Sequence, residues 1–269
     1  MIAKRLRHSG RALGFCLLGV LLLSGDHGQA HPEDEFCAQG QGGLDPALCE
    51  ALAALDAGED SGRVLQPLLD ASGAVRGFGS TLGLYVGIGV GHILPAGLDH
   101  ILFVLALFLS STSLRALVIQ ISAFTVAHTA TLGLAAAGVI APEAAIVEPL
   151  IAATIAFVAF ENLWFRDMPR WRPLVVFGFG LVHGLGFAGF FGELGLPPGQ
   201  FWSALIGFNI GVEIGQLSVV LLAVVLSLML RRRLAADACA GIYRRFVVVP
   251  ASLAIGLAGL WWAITRTFG

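Results

Sequence analysis

The chain of 269 residues is 57% apolar and 13% charged, with a net charge of −2 and a mean hydropathy of +0.83. A soluble domain of this length carries more charge, whereas several apolar runs here approach the ~20 residues with which a helix crosses a membrane. The basic residues stand in short clusters beside these runs, as they do in membrane proteins, and this arrangement excludes a nucleic-acid-binding protein.

The first 30 residues have the layout of a secretory signal peptide. Basic residues between positions 4 and 11 precede an apolar stretch over 12–24 and a small-residue cleavage site ending at Ala30. The apolar stretch is short for a membrane span, which favours cleavage over retention as an anchor. We therefore expect residues 1–30 to be removed and the mature chain to begin outside the cytoplasm.

Residues 31–77 carry nine acidic side chains and two arginines. This pattern predicts a short, solvated extracytoplasmic segment; the alternative is a vestibule that concentrates cations at the membrane surface. Cys37 and Cys49 lie in this segment and could pair in an oxidising compartment, which the sequence alone leaves open.

The remainder, residues 78–269, predicts an all-α polytopic bundle, because lipid offers backbone amides no hydrogen-bond partner outside a helix. We expect six crossings, at about 78–110, 116–136, 147–165, 174–192, 202–230 and 246–265. Arginine clusters over 166–172 and 231–245 predict cytoplasmic loops, which places both mature termini outside, in a bacterial inner membrane.

The first predicted span is long enough to contain a break. Pro95 removes a backbone donor and disfavours helix at Leu94, and Gly91 and Gly97 loosen the same stretch. Two half-helices meeting near the bilayer midplane satisfy the arginine pattern. A complete hairpin, which would give seven helices, is the competing topology.

Several ionisable side chains fall inside the predicted spans, where each costs several kcal/mol near the bilayer centre. The metal-ligand candidates are His92, Asp99, His100, His128, Glu161, His183 and Glu213. The accessory polar candidates are Thr125, Asn162, Asn209 and Gln216. One such residue is often a structural hydrogen bond between helices, but this number over five spans predicts a shared cation pocket.

The candidates differ in how many interpretations they allow. His92, Asp99 and His100 bracket the predicted break, where discontinuous helices build the ion sites of many transporters. Glu161 lies closer to the end of its span, so a role in helix packing or gating is an equal alternative to metal ligation. Glu213 lies in a stripe with Asn209 and Gln216 at i, i+4 and i+7 spacing, which must face the bundle.

The types of ligand narrow the choice of metal. Imidazole with carboxylate suits Ni²⁺, Co²⁺, Zn²⁺ or Fe²⁺, and the predicted core lacks the cysteine that Cu(I) prefers. We expect the ion to be transported cargo and not a permanent cofactor, and the chain not to be an enzyme. One alternative is an intramembrane zinc hydrolase, with three histidines and Asp99 at the metal; another is a membrane partner that delivers metal to assembly factors.

The polar motifs resemble, in their order, those of the HupE/UreJ family of hydrogenase- and urease-associated membrane proteins, in its longer branch. The matching stretches are 91–104, 123–129, 160–162, 180–188 and 207–216. The resemblance implies a nickel permease that supplies hydrogenase or urease maturation factors. It also implies that the histidine-aspartate-histidine motif of the first span falls on His92, Asp99 and His100.

Overall fold

The computed structural model describes residues 77–111, 113–165, 171–187, 199–233 and 239–269. The predicted signal peptide, residues 31–76 of the acidic segment and its two cysteines lie outside the described residues. All regular structure within the described ranges is helical, which confirms the all-α prediction. The helices are α1 (Phe78–Ile93), α2 (Leu98–Ser110), α3 (Leu114–Ala136), α4 (Ala144–Trp164), α5 (Arg172–Gly186), α6 (Phe201–Arg233), α7 (Cys239–Tyr243) and α8 (Val249–Phe268), with a π-helical turn over Arg244–Val248.

The predicted first span is broken where the sequence indicates. α1 ends at Ile93, α2 begins at Leu98, and the two axes meet at 71°. Leu94 has the extended backbone (φ −129°, ψ 114°) that a following proline favours, and the Leu94–Pro95 peptide is cis. Gly97 packs directly on the backbone carbonyl of His92, so a side chain there has no room. The break is therefore built into the local sequence.

Close contacts at glycines fix the direction of neighbouring helices. α1 runs parallel to α6, because Gly207 lies against the Leu82 carbonyl and Gly215 lies against Ile93. α3 likewise runs parallel to α5, whose Gly180 packs on the carbonyl of Phe124. Small residues at such seams let membrane helices approach closely.

Hydrogen bonds between helices complete the topology. α3 is antiparallel to α6, and α5 is antiparallel to α4, where Thr154 meets His183. α2 runs alongside α4 in the same direction: the Ala106 carbonyl bonds Asn162 late in α4, and Arg266 links Asp99, early in α2, to the Glu148 carbonyl, early in α4. It follows that α1 and α2 both run in the direction of α4 and α6. The bent pair is a single broken passage, and the competing hairpin is not formed.

Four stretches are long and apolar enough to cross a membrane, namely α3, α4, residues 201–230 of α6, and residues 241–268 containing α8. The bent α1–α2 pair, taken as the single passage that the helix directions indicate, provides a fifth. α5 is shorter, at 15 residues, and its predicted span continues into residues 188–192, outside the described ranges. Exposed apolar side chains such as Leu221 and Leu226 cover the outer faces, as lipid contact requires. The chain is a helical polytopic membrane protein.

Candidate metal centre

Three buried histidines from three helices meet beside the break. His92 lies in the last turn of α1, His100 lies in the first turn of α2, and His128 lies in the middle of α3. One nitrogen of each ring lies within 4.8 Å of one nitrogen of each of the other two. We call these three residues the histidine cluster. Their spacing suits three ligands of one metal ion, because imidazoles coordinate at ~2.0–2.1 Å from the metal.

The bend between α1 and α2 is what joins the first two members of the cluster. The rings of His92 and His100 are 4.7 Å apart between centroids and edge-to-face. A continuous helix would separate residues eight positions apart by ~12 Å along its axis. The break therefore creates the cluster.

A hydrogen bond to Asn209 orients His128 and leaves its Nε2 available for coordination. The amide of Asn209 donates to the Leu205 carbonyl at 2.8 Å, so its oxygen is the atom that faces His128 Nδ1, at 3.2 Å. An amide oxygen only accepts, and Nδ1 therefore carries the proton and donates. Nε2 then holds the lone pair, and it has no hydrogen-bond partner among the described residues. Partners of this kind fix the tautomer of metal-binding histidines.

A fourth histidine, His183 of α5, adjoins the cluster without belonging to it. Its ring lies 5.1 Å from that of His100 between centroids. Thr154 donates its single hydroxyl proton to the Ile151 carbonyl at 2.7 Å, so it accepts from His183 Nε2 at 2.8 Å. The lone pair is then on Nδ1, which has no hydrogen-bond partner in the part of the chain described. His183 thus offers a further nitrogen next to His100.

Phenylalanine rings enclose these histidines. The rings of Phe124 and Phe208 each lie nearly parallel to that of His128, with centroids 6.0 and 6.2 Å away. Phe187 lies 4.3 Å from His92, and Phe103 lies 5.1 Å from His183. The rings hold the imidazoles in fixed orientations, so the site is preorganised for an ion.

Asp99 is directed away from the cluster although it is next to His100 in sequence. Its carboxylate forms a two-point ion pair with Arg266 of α8, at 2.7 and 3.3 Å. Arg266 also donates to the Glu148 carbonyl at 3.5 Å, near the start of α4. The pair is 21% and 28% exposed and lies at the end of the bundle where α8 finishes.

Glu161 is engaged with an arginine at the opposite end of the bundle. Its carboxylate pairs with Arg172 of α5 at 3.4 Å, and both side chains are buried. Arg172 also donates to the Asn162 oxygen, and Asn162 donates to the Ala106 carbonyl and to Ser252. This network joins α2, α4, α5 and α8. Of the interpretations open for Glu161 and Asn162, the contacts favour helix packing.

The polar stripe on α6 faces α3, as the spacing predicts. Glu213 is half-buried and accepts hydrogen bonds from Ser122, at 2.8 Å, and from Thr125. Thr125 also lies 3.1 Å from the oxygen of Gln216. Asn209, one turn earlier, is the residue that orients His128. The stripe thus connects the histidine cluster to a separate carboxylate.

The expected single pocket is therefore divided. The histidines converge, but Asp99, Glu161 and Glu213 are each held by other partners outside the cluster. The sequence analysis did not single out Thr154 or the two arginine partners as parts of these sites. The available signals were Thr154 and Arg266 within apolar stretches, whereas Arg172 stands in the arginine cluster over 166–172. The phenylalanines gave none, because aromatic residues are common throughout such helices.

Comparison with known proteins adds one match. The sequence model of a family described as HupE / UreJ protein matches residues 71–266. No curated protein matches the chain, and neither does any solved structure. The matched range includes every residue of the sites above and all of the described helices except the last two residues of α8.

Proposed function

The chain belongs to the HupE/UreJ family, and we propose that it is a membrane permease for a divalent transition metal, with nickel as the first candidate cargo. The observation that carries this proposal is the histidine cluster, with its three buried nitrogens within 4.8 Å of one another. Imidazole is a preferred ligand of Ni²⁺, Co²⁺ and Zn²⁺, so the donor set fits the cargo.

Because the histidine cluster is uncharged, it supports transport of the metal ion over its permanent retention. The three acidic candidates, Asp99, Glu161 and Glu213, are held by arginine or hydroxyl partners, so the ligands that the described residues offer the ion are imidazoles alone. Conduction needs binding that is strong enough for the ion to enter and weak enough for it to leave. A neutral set of three ligands suits that requirement better than one with thiolates or several carboxylates.

The distribution of arginines suggests the orientation of the bundle, and inward movement of the ion is part of the proposal. Arg115, Arg172 and Arg244 lie at the end of the bundle where α3 and α5 begin. We propose that this end faces the cytoplasm, in the inner membrane of a bacterium. α1 then begins outside, the ion moves inward, and maturation factors of hydrogenase or urease receive it.

One observation favours a second candidate, an intramembrane hydrolase. Three histidines with an open fourth position are also the ligand set of many catalytic zinc sites. Such an enzyme needs a general base near the metal-bound water. Asp99, the carboxylate adjacent in sequence, is instead paired with Arg266. The permease is therefore the better-supported proposal.

Uptake of radioactive nickel into liposomes that contain the purified protein tests the proposal. We expect saturable uptake, and we expect His92→Ala and His128→Ala to abolish it, because each removes one of three ligands. Ser218→Ala is the matched control, since Ser218 is exposed and bonds only within its own helix. Competition by cobalt, zinc and iron ranks the cargoes.

Two outcomes would contradict the permease. Uptake that survives both histidine substitutions would show that the ion does not pass through the cluster. One equivalent of zinc retained through purification in chelator, without nickel uptake, would favour the hydrolase.

A further inference from the structure

The three histidines of the cluster are almost completely buried in this structure. His92 and His100 are each 6% exposed, and His128 is 0% exposed. A metal ion therefore reaches their nitrogens only when a contact between the surrounding helices opens, as lids and gates do at other buried sites. The contact that opens first should be one that lies next to the cluster and breaks easily.

The Asp99–Arg266 ion pair lies next to the cluster, toward the end of the bundle where α8 finishes. Asp99 immediately precedes a cluster histidine in α2, and Arg266 of α8 also donates to the Glu148 carbonyl of α4. Glu148 lies six residues before Thr154, or ~9 Å along α4, and Thr154 bonds His183 beside the cluster. The guanidinium thus bridges α2 and α4 between the cluster and this end of the bundle.

Other helices around the cluster are fixed by close backbone contacts. Gly184 of α5 packs on the carbonyl of His128, and Gly211 of α6 packs on the carbonyl of Val86 in α1. α2 contains no glycine, and a side-chain pair joins its first turn to α8. The start of α2 can therefore separate from α8 without breaking a seam of backbone contacts.

The Asp99–Arg266 pair is also easier to break than the ion pair at the opposite end of the bundle. The side chains of Arg266 and Asp99 are 28% and 21% exposed, whereas those of Arg172 and Glu161 are 2% and 4% exposed. Water can replace the partner of a partly exposed charge, but it cannot reach a buried one. Arg266 lies in the last turn of α8, from which its long side chain can turn into solvent.

We propose that the Asp99–Arg266 pair is the gate through which a metal ion reaches the histidine cluster from outside the cytoplasm. The inference rests on the proposed permease function and names the contact that admits the ion. The structure has the gate closed, with the guanidinium between α2 and α4. When the pair separates, Arg266 turns outward and the gap between these helices opens toward His100. The gate changes the rates of binding and release but not the affinity, because the pair is closed both before and after binding.

Chemical modification of the histidines in metal-free protein tests the gate without measuring transport. Purified protein in detergent and chelator is treated with diethyl pyrocarbonate, and modification of each cluster histidine is followed by mass spectrometry. We expect Arg266→Gln and Asp99→Asn each to raise the rate roughly two- to five-fold, the range that a partly exposed ion pair contributes. The double variant should be no faster than either single variant, because both substitutions remove one contact. Arg115→Gln is the matched control, since Arg115 is an exposed arginine at the start of α3.

The kinetics of nickel exchange connect the gate to the cargo. Protein loaded with radioactive nickel is diluted into unlabelled NiCl₂, and retained label is measured by rapid filtration. Association is measured in the same way from the metal-free protein. In Arg266→Gln both rate constants should rise by the same factor, while the dissociation constant keeps its wild-type value.

The outcomes separate this inference from the function on which it rests. Equal histidine modification in wild type and in both single variants overturns the gate and leaves the permease intact. Weaker nickel binding in Asp99→Asn, with wild-type binding in Arg266→Gln, would make Asp99 a ligand and would also overturn the gate. Absence of nickel binding by wild type overturns the permease, whereas faster modification in the variants would still support a gate over the buried histidines. Either single variant decides the modification experiment if the other does not fold.

Discussion

The histidine cluster and the Glu161–Arg172 pair are both buried and polar, yet they differ in what remains available to a ligand. At the pair, opposite charges meet at 3.4 Å and Asn162 ties the arginine to three other helices. At the cluster, a hydrogen bond to Asn209 orients the ring of His128, and Nε2 of His100 and of His128 have no hydrogen-bond partner among the described residues. Polar residues in a membrane bundle thus divide into those that hold helices together and those kept open for an ion.

The largest effect is expected from Arg172→Met, which tests whether the Glu161–Arg172 pair holds the helices together. It leaves Glu161 buried beside no cation, and breaking a buried ion pair costs ~3–5 kcal/mol. Thermal unfolding in detergent should show a large fall in Tm. The double variant Arg172→Met/Glu161→Gln removes both charges and should recover most of the loss.

The nickel affinity of the same variant tests whether the Glu161–Arg172 pair and the histidine cluster are independent. Glu161 lies seven residues beyond Thr154, the partner of His183, or ~10 Å along α4. Nickel affinity of folded Arg172→Met should therefore equal that of wild type. An unchanged Tm, or a lost affinity in the folded state, would break the division between the two regions.

A smaller effect is expected at Asn209, which connects α6 to α3 and also orients a ligand of the histidine cluster. Asn209→Ala removes the acceptor that sets the tautomer of His128, and losing such a partner typically weakens metal affinity 10–100-fold. Asn209→Asp keeps an accepting oxygen and should restore most of the affinity. Competition between the protein and a chromophoric chelator for nickel measures both, with Ser218→Ala as the control. Wild-type affinity in Asn209→Ala would show that the hydrogen bond does not orient the ligand.

The smallest effect is expected at the exposed pair. Asp99 and Arg266 are partly exposed, and such pairs contribute ~0–1 kcal/mol. Arg266→Gln should lower the free energy of unfolding by no more than this, and less at high salt. Denaturation at two salt concentrations measures it. A rise in nickel affinity in this variant would instead show that Asp99, once released, turns toward the cluster.

Local rules predicted the backbone of the site well. Pro95 and Gly97 placed the break, and the i, i+4, i+7 spacing placed Asn209, Glu213 and Gln216 toward the bundle, where they contact α3. These predictions hold because proline geometry and helical periodicity act within a few residues. The convergence of histidines followed from the cost of imidazoles in lipid.

The partners of the acidic side chains could not be predicted in the same way. Asp99 is paired with a residue 167 positions later in the chain, and no local pattern links the two. Arg172 fitted the loop arginines by sequence, but it is buried at the first position of α5. Such pairings depend on which helices become neighbours, and the sequence fixes those contacts only through the whole packed bundle.

The burial of Arg172 also constrains how the chain enters the membrane during synthesis. An arginine at a helix end that meets lipid before Glu161 is in place must extend its side chain to the membrane–water interface. Because α4 precedes α5 in the chain and lies antiparallel to it, the two can leave the translocation machinery as one hairpin with the charges already neutralised. Insertion of α5 alone, as in a fusion that lacks α4, should therefore leave Arg172 at the interface instead of buried in the bundle.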